Sequence, residues 1–369
     1  MDKIVVMYTV DRNNPKGTWS GTSYALKEAL KEKVEVIEVD LHEGLLLKGL
    51  RIIGDKFSRN KSSYLFGPLH DSLLQLKANF ILNKYRHLPV LEIANEVKIK
   101  NRYFLYQDLA IAVLPPIQES LKKDLKKSSG GLLLECSDDE LQRKIEVQKK
   151  IYNSADKIFF MGNWVADRMK ELYPQMSCKF VAVGAGINPE FSAPIKSEIL
   201  HKENIISFIG IDFDRKAGDL VLEAFKILVE KYDTDAQLYI AGPNCIKTDL
   251  TNVNFIGKTE REELEQLLKR STVFCMPSKF EAYGLVFLEA KSYGLLCIGR
   301  NNYEMPYLLS ADDEDYLIEN DDAENLAKNM FILLNDKQKQ LRAINNAGKV
   351  YSSNTWESVA EKILNEMSL

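Results

Sequence analysis

Thr272-Val-Phe-Cys-Met-Pro-Ser-Lys-Phe-Glu-Ala-Tyr-Gly-Leu-Val-Phe-Leu-Glu-Ala-Lys-Ser-Tyr-Gly294 runs from an apolar segment through a turn into a helix former. Thr272 to Met276 reads as a buried strand that stops at Pro277 and Ser278, and the Ala/Leu/Glu-rich stretch after Gly284 reads as a helix. A strand, a tight aromatic-glycine turn and a helix make one unit of a parallel α/β sheet. The turn also carries chemistry. The amides of Tyr283, Gly284 and Leu285 fall at the positive end of the helix, a position suited to phosphate. Glu281 stands just before the turn and Glu289 about one turn into the helix, which places two carboxylates around that anion site.

The same alternation extends in both directions. Strands are expected at Ile205–Ile211, Gln237–Ala241, Val253–Ile256, Val273–Met276 and Leu295–Ile298, with helices at Gly218–Lys231, Glu260–Lys269 and Gly284–Ser292. Such alternation specifies a parallel sheet covered on both faces. Toward the N-terminus a second series opens with a strand at Lys3–Val10, a loop over 11–21, a helix at Thr22–Lys31 and a strand at Val34–Val39. Further strands follow at Tyr103–Tyr106, Lys157–Met161 and Lys179–Val183. Residues 45–100 are assigned to helices. The stretch Gly186-Ile-Asn-Pro-Glu-Phe-Ser-Ala-Pro194, with its two prolines, reads as the linker. The expected organisation is a domain of residues 1–187, a second of residues 188–351, and a C-terminal helical segment, 352–369, that crosses back to the first. Ligands of doubly wound sheets bind beyond the carboxyl ends of the strands, so two such domains are expected to face each other across a cleft.

At 369 residues the chain is long enough for two ordinary cores. It is 28% charged and 45% hydrophobic with a net charge of −4, which gives no global basic bias toward nucleic acid. The first apolar run begins at Lys3, no run approaches the length of a membrane span, and no secretory leader is read, so a cytoplasmic protein is expected. Cys136, Cys178, Cys245, Cys275 and Cys297 are scattered and odd in number, and read as buried thiols rather than a disulfide frame or zinc site.

A second motif precedes the helix at 218: Phe208-Ile-Gly-Ile-Asp-Phe-Asp-Arg-Lys-Ala-Gly218 sets Arg215 and Lys216 after a strand and a glycine, where two cations suit a diphosphate. This motif and the Glu281/Glu289 segment together resemble the retaining GT-B glycosyltransferases of family 4, which hold a nucleotide-sugar with an E-x7-E element and a basic pair. The resemblance covers most of residues 154–310, plus Gly17-Thr-Trp-Ser-Gly-Thr22. It implies an α/β GT-B fold of two Rossmann-like doubly wound domains. It also implies transfer of a sugar from a nucleotide-diphosphate sugar to a glycan, lipid-linked or small-molecule acceptor. No metal-binding triad is read between strands, so no obligatory metal ion is expected, and no cofactor.

By the same resemblance Arg215 and Lys216 bind the donor diphosphate, Glu289 bonds the ribose hydroxyls and Glu281 the donor sugar. The amides of Tyr283, Gly284 and Leu285 receive the distal phosphate, the backbone of Ile256 reads the base, and Gly21 lets the first domain approach the phosphate. Asp108 stands near the acceptor. Four places depart from the family's usual pattern. Ile211 stands where an arginine is usual, Leu296 where a proline is usual, and Tyr303 and Glu304 replace a glycine pair. Tyr106-Gln107-Asp108 occupies the stretch where many members carry a histidine.

Other readings are weighed against this one. Isolated glutamates are usually solvated charges, Arg215-Lys216 fits a surface turn, Asp108 fits a helix cap for Leu109 onward, and Gly21 fits a plain helix start. A non-catalytic GT-B partner or a glycan-binding module would be expected to lose the donor-site charges, all of which are present. A dinucleotide oxidoreductase would need G-x-G-x-x-G after the first strand, which the 11–21 loop lacks. Residues 48–86 carry eight Lys/Arg, at 48, 51, 56, 59, 61, 77, 84 and 86, against Asp55 and Asp71. That composition fits peripheral contact with anionic lipid at the inner face of a membrane, and equally a solvated helical face.

Overall fold

The computed structural model describes residues 2–9, 18–42, 68–93, 97–125, 136–200, 202–232, 235–244, 246, 248–309 and 315–369. The chain divides into two compact units. Unit 1 comprises Met1–Lys123, Gly131–Gly186 and Trp356–Leu369, and unit 2 comprises Asp124–Gly130 and Ile187–Thr355.

Unit 1 is built on six parallel strands in the order β2-β1-β3-β4-β5-β6. They are β1 (Lys3–Tyr8), β2 (Glu35–Asp40), β3 (Val90–Ile93), β4 (Tyr103–Gln107), β5 (Lys157–Phe160) and β6 (Phe180–Ala182). Ile4, Val5, Val6 and Met7 of β1 are fully buried, as a continuous apolar run inside a two-sided parallel sheet must be. Helices α1 (Thr22–Lys31), α2 (Pro68–Leu82), α3 (Leu114–Asp124), α4 (Asp138–Ser154) and α5 (Asn163–Leu172) cover the sheet. Helix α4 starts on a capping box in which Ser137 and Glu140 satisfy each other's backbone amides.

β3 corrects the all-helical assignment of residues 45–100. Val90-Leu-Glu-Ile93 is only four residues long and follows Pro89, too short a run for periodicity to reveal, yet it lies between β1 and β4 with every residue buried. The cysteine reading is also corrected at one position. Cys136, Cys275 and Cys297 are buried, but Cys178 is exposed, on a 3-10 turn (Pro174–Lys179) rather than in the sheet. Cys245 lies outside the described residues.

Unit 2 has its own six parallel strands, ordered β12-β11-β10-β7-β8-β9. These are β7 (Ile205–Ile209), β8 (Gln237–Ala241), β9 (Val253–Gly257), β10 (Val273–Cys275), β11 (Leu296–Arg300) and β12 (Tyr316–Ile318). Numbered within the unit, this is the 3-2-1-4-5-6 order of doubly wound sheets, read from the opposite edge. Its order reverses between β7 and β10, and the crevice at the carboxyl ends of those two strands is where ligands of such sheets bind. Helices α6 (Lys196–Ile199), α7 (Gly218–Lys231), α8 (Arg261–Arg270), α9 (Leu285–Ser292), α10 (Met305–Leu309), α11 (Ala323–Asn335) and α12 (Lys337–Ser353) complete it.

The last helix, α13 (Trp356–Met367), belongs to unit 1 and buries Val359, Ala360, Ile363 and Met367. Its Trp356 ring meets Tyr106 edge-on at 6.5 Å and lies against Gly186, where a Cβ would come within 2.6 Å of the indole. Among the described residues no helix is long and apolar enough to cross a membrane.

Candidate functional site

The loop after β7 and the loop after β10 flank the reversal point of the unit 2 sheet, and they are bonded to one another. The Arg215 carbonyl accepts from the Lys279 amide at 2.8 Å, and Arg215 Nη1 donates to the Phe280 carbonyl at 2.6 Å. Arg215 is oriented from behind by Asp212, whose Oδ2 accepts from Nε at 3.0 Å, and Lys279 meets Asp214 at 3.3 Å. The two motifs found far apart in the sequence therefore form one structure.

At its centre is Glu281. Its Oε2 accepts from Lys216 Nζ at 3.1 Å and from Ser278 Oγ at 3.4 Å, and stands 3.6 Å from Arg215 Nη1. All three charged side chains are largely buried, with 18, 13 and 18% of their surface exposed for Glu281, Lys216 and Arg215. Burial alone would raise the Glu281 carboxyl, but the adjacent Lys216 and Arg215 charges outweigh it and hold the group below its ordinary value. Glu281 is thus a carboxylate set between two cations, one of which, Arg215, also carries Asp212 on its Nε.

Local backbone explains why these residues meet. Lys216 crosses directly over Gly210: a Cβ at Gly210 would lie 2.0 Å from Lys216 Cδ and 2.7 Å from Cε. Lys216 also reaches Met276 Sδ at 3.2 Å, so its path runs from the β7 loop across the end of β10. The loop closes into helix α7 through Ala217, which takes the left-handed conformation at φ 57°. In the second loop Gly284 has φ 94°, a left-handed conformation that favours glycine at the entry to helix α9, and a Cβ there would also stand 2.7 Å from Met305 Cε. Phe287 anchors that helix on β10 by an edge-on contact with Phe274 at 5.0 Å. Tyr283 and Gly284 are buried at the helix start and Leu285 is half-buried.

Glu289 sits apart from the Glu281 cluster, on helix α9, and is 6% exposed. Its partner is Arg261 at the start of helix α8, 3.5 Å from Oε1. Burial pushes the Glu289 carboxyl up to about 7, with Arg261 only partly opposing it. Arg261 is itself shared with Glu190 at 3.5 Å and lies over the Phe191 ring at 5.3 Å. Ile256, on the edge strand β9, is 36% exposed. Ile211, in the place where an arginine was expected, is 74% exposed and Arg215 occupies the interior instead. Tyr303, replacing a glycine, keeps a left-handed φ of 51° and is braced by the Phe280 ring at 5.1 Å. Glu304 is fully buried.

The remaining two candidates belong to unit 1. Gly21 holds φ 88° at the start of helix α1, a conformation that favours glycine. Asp108 follows β4, where its Oδ2 accepts from Trp19 Nε1 at 3.4 Å. The turn that follows, Ile111–Val113, starts at Ala110, whose side chain supplies no cap. Trp19 lies edge-on to Tyr106 at 6.1 Å and is itself left-handed at φ 50°.

Residues 191–350 match the family model described as glycosyl transferases group 1. This stretch of unit 2 is a group 1 glycosyl transferase domain. Among the curated relatives, an uncharacterized glycosyltransferase of Haemophilus influenzae is 28% identical over 42% of this chain and 46% of its own length. The Escherichia coli UDP-Gal:alpha-D-GlcNAc-diphosphoundecaprenol alpha-1,3-galactosyltransferase is 27% identical over 49% of this chain and 52% of its own. The chain spans about half the length of these two curated relatives. Solved structures match along the whole chain. WaaG, a glycosyltransferase involved in lipopolysaccharide biosynthesis, superposes with a TM-score of 0.64 at 15% identity, covering 98% of this chain and 99% of its own. Anabaena Alr3699/HepE, solved with UDP and glucose, gives a TM-score of 0.64 at 12% identity over 100% of both chains. The two-unit α/β architecture is the GT-B fold.

Several residues of the site were not singled out in the sequence. Arg261 and the Phe280 carbonyl meet partners distant in the chain, Glu289 and Arg215, while Asp212 and Ser278 lie inside the two motifs, each three residues from the charged group it bonds. Gly210 was legible as a glycine after a strand, but not as the surface over which Lys216 passes.

Proposed function

We propose that the protein transfers a sugar from a nucleoside-diphosphate sugar to an acceptor hydroxyl with retention of anomeric configuration. In this reading Lys216, Arg215 and the amino end of helix α9 at Tyr283–Leu285 bind the diphosphate. Glu289 bonds the ribose hydroxyls, Glu281 holds Lys216 in line until the diphosphate arrives and then contacts the donor sugar, and the Ile256 backbone lies along the base. Gly21 permits close approach of the unit 1 backbone, and Asp108 contacts the acceptor. The observation that carries the reading is the Lys216–Glu281–Arg215 cluster at the carboxyl ends of β7 and β10, inside the matched domain.

The chemistry asks mainly for charge stabilisation. As the bond between the anomeric carbon and the phosphate oxygen breaks, negative charge grows on the leaving diphosphate. The acceptor oxygen bonds to the anomeric carbon from the same face and its proton passes to that phosphate oxygen, giving a glycoside and a nucleoside diphosphate. Fixed cations lower this barrier because they are already oriented, and losing one such contact costs about 2.7 to 4 kcal/mol. Lys216 and Arg215 supply the charge that a divalent ion supplies elsewhere, so transfer proceeds in the presence of a chelator.

Two relatives suggest the acceptor class. The Escherichia coli galactosyltransferase and a Campylobacter jejuni N-acetylgalactosaminyltransferase, 27% identical over 155 residues, are both named for acceptors on undecaprenyl diphosphate or pyrophosphate. A lipid-linked glycan is therefore the first acceptor to try. Titration calorimetry of the full chain with UDP, GDP and ADP tests the donor site, with Lys216→Met as the comparison. Binding of at least one diphosphate, weakened about tenfold or more in the variant, is expected. Absence of binding to all three, or equal binding by Lys216→Met, overturns the reading.

A further inference from the structure

Helix α2 of unit 1 is apolar on two opposite faces. Ala78 and Leu82 point to the interior and are fully buried, whereas Leu69, Leu76 and Phe80 are 58, 68 and 84% exposed. Separations of seven and four residues put these three on a single stripe along the helix, with half-buried Leu73 between them. A contiguous apolar stripe of this size marks an interaction surface rather than scattered surface residues.

The rim of the stripe is basic. Lys84 and Arg86, just past the helix end, are exposed, as are Lys98 and Lys100. The backbone of the last two is tied to helix α2 at Asn79, the residue before Phe80, which donates to the Lys98 carbonyl at 3.1 Å and accepts from the Lys100 amide at 3.0 Å. The acids among the described residues from 68 to 100 do not offset this charge. Asp71 is paired with Arg143 at 2.9 Å and Lys144 at 2.7 Å, and Glu92 is fully buried in β3. A second copy of this chain would bring like-charged rims together, which is unfavourable. An anionic surface satisfies both the stripe and its rim.

We propose that this face of unit 1 docks on an anionic lipid surface. Leu69, Leu76 and Phe80 enter the boundary between headgroups and acyl chains, and Lys84, Arg86, Lys98 and Lys100 pair with the headgroup phosphates. Helix α2 lies in the plane of the interface and does not span it. The surface belongs to unit 1 and the donor-site cluster to unit 2, and its test does not depend on that cluster.

The test is co-sedimentation of the full chain with vesicles of phosphatidylcholine alone or mixed with phosphatidylglycerol, at low and high salt. The expected result is binding to the anionic vesicles that weakens with salt and is about tenfold or more stronger than to phosphatidylcholine alone. Leu76→Ser/Phe80→Ser and, separately, Lys98→Glu/Lys100→Glu should each lower it by about tenfold or more, and these exposed positions should leave the melting temperature near that of wild type. Glu281→Gln should bind vesicles as wild type does, so failure of the donor site and failure of this surface appear in different variants. The proposal is overturned if wild type ignores anionic vesicles or if either double variant binds them unchanged. It is equally overturned if sedimentation velocity shows a wild-type dimer that Leu76→Ser/Phe80→Ser dissociates.

Discussion

Lys216 lies across Gly210 with no room for a methyl group between them: a Cβ on Gly210 would stand 2.0 Å from Lys216 Cδ. The obstructing atoms belong to the flexible end of a side chain, so Gly210→Ala can be accommodated by swinging the lysine aside. The ammonium would then leave Glu281, now 3.1 Å away. Gly210→Ala should therefore reproduce the binding defect of Lys216→Met, about tenfold or more in nucleoside-diphosphate affinity, with a small change in melting temperature. Calorimetry and a thermal melt on the same sample check this, and wild-type affinity in Gly210→Ala would refute it.

Glu289 predicts a pH dependence. Its folded pKa of about 7 lies above the ordinary 4.5, so the folded state binds the proton more tightly than the unfolded chain does. The stabilisation from this group is fully present below about 4.5 and is lost as pH rises through about 7. The shift corresponds to about 3 kcal/mol at most. Glu289→Gln, which stays neutral, should flatten that part of the stability profile, as read by urea unfolding across this range. Identical slopes in the two proteins would rule the effect out.

Lys202 predicts a slope of the opposite sign. Its Nζ donates to the carbonyls of Leu268, Lys269 and Tyr293 at 3.0, 3.0 and 2.7 Å, tying the end of helix α8 to the residue that follows helix α9. Burial pulls the ammonium down to about 7 from 10.5, so between these values the unfolded chain holds the proton and the folded one releases it. Stability from this group rises with pH through that window. Lys202→Met should abolish the rise, and unfolding measurements on the alkaline side of neutrality would show whether it does.

Ser137 offers a control outside the site. Its side chain caps helix α4 in a reciprocal box with Glu140. Ser137→Ala should lower the unfolding free energy by about 1 kcal/mol, and nucleotide affinity should not change. A loss of affinity would mean that the cap is coupled to the donor loops.

Most of unit 2 was legible because its strands and helices alternate regularly and several strands run straight into a glycine. The E-x7-E turn and the Arg215-Lys216 pair could be placed on loops after strands for the same reason. Their contact could not be read, since it depends on β7 and β10 being neighbours, a fact of strand order that no local pattern encodes. Unit 1 was less legible. β3 is a four-residue run whose burial on both faces removes alternation. Ile211 looked like the last residue of β7, but the strand ends at Ile209 and leaves the side chain 74% exposed. Arg261 gave no signal at all, because its pairing with Glu289 joins two separate helices, α8 and α9, through tertiary packing alone.

Under the proposed function, the carboxylate wedged between Lys216 and Arg215 makes nucleotide capture an exchange of anions. Neither cation must then shed a full hydration shell, because folding has already largely buried both, Lys216 against Glu281 and Arg215 against Asp212 and the Phe280 carbonyl. The incoming phosphates take over donors that are waiting in place. The displaced glutamate, released from its lysine, is then free to accept a hydroxyl of the arriving sugar.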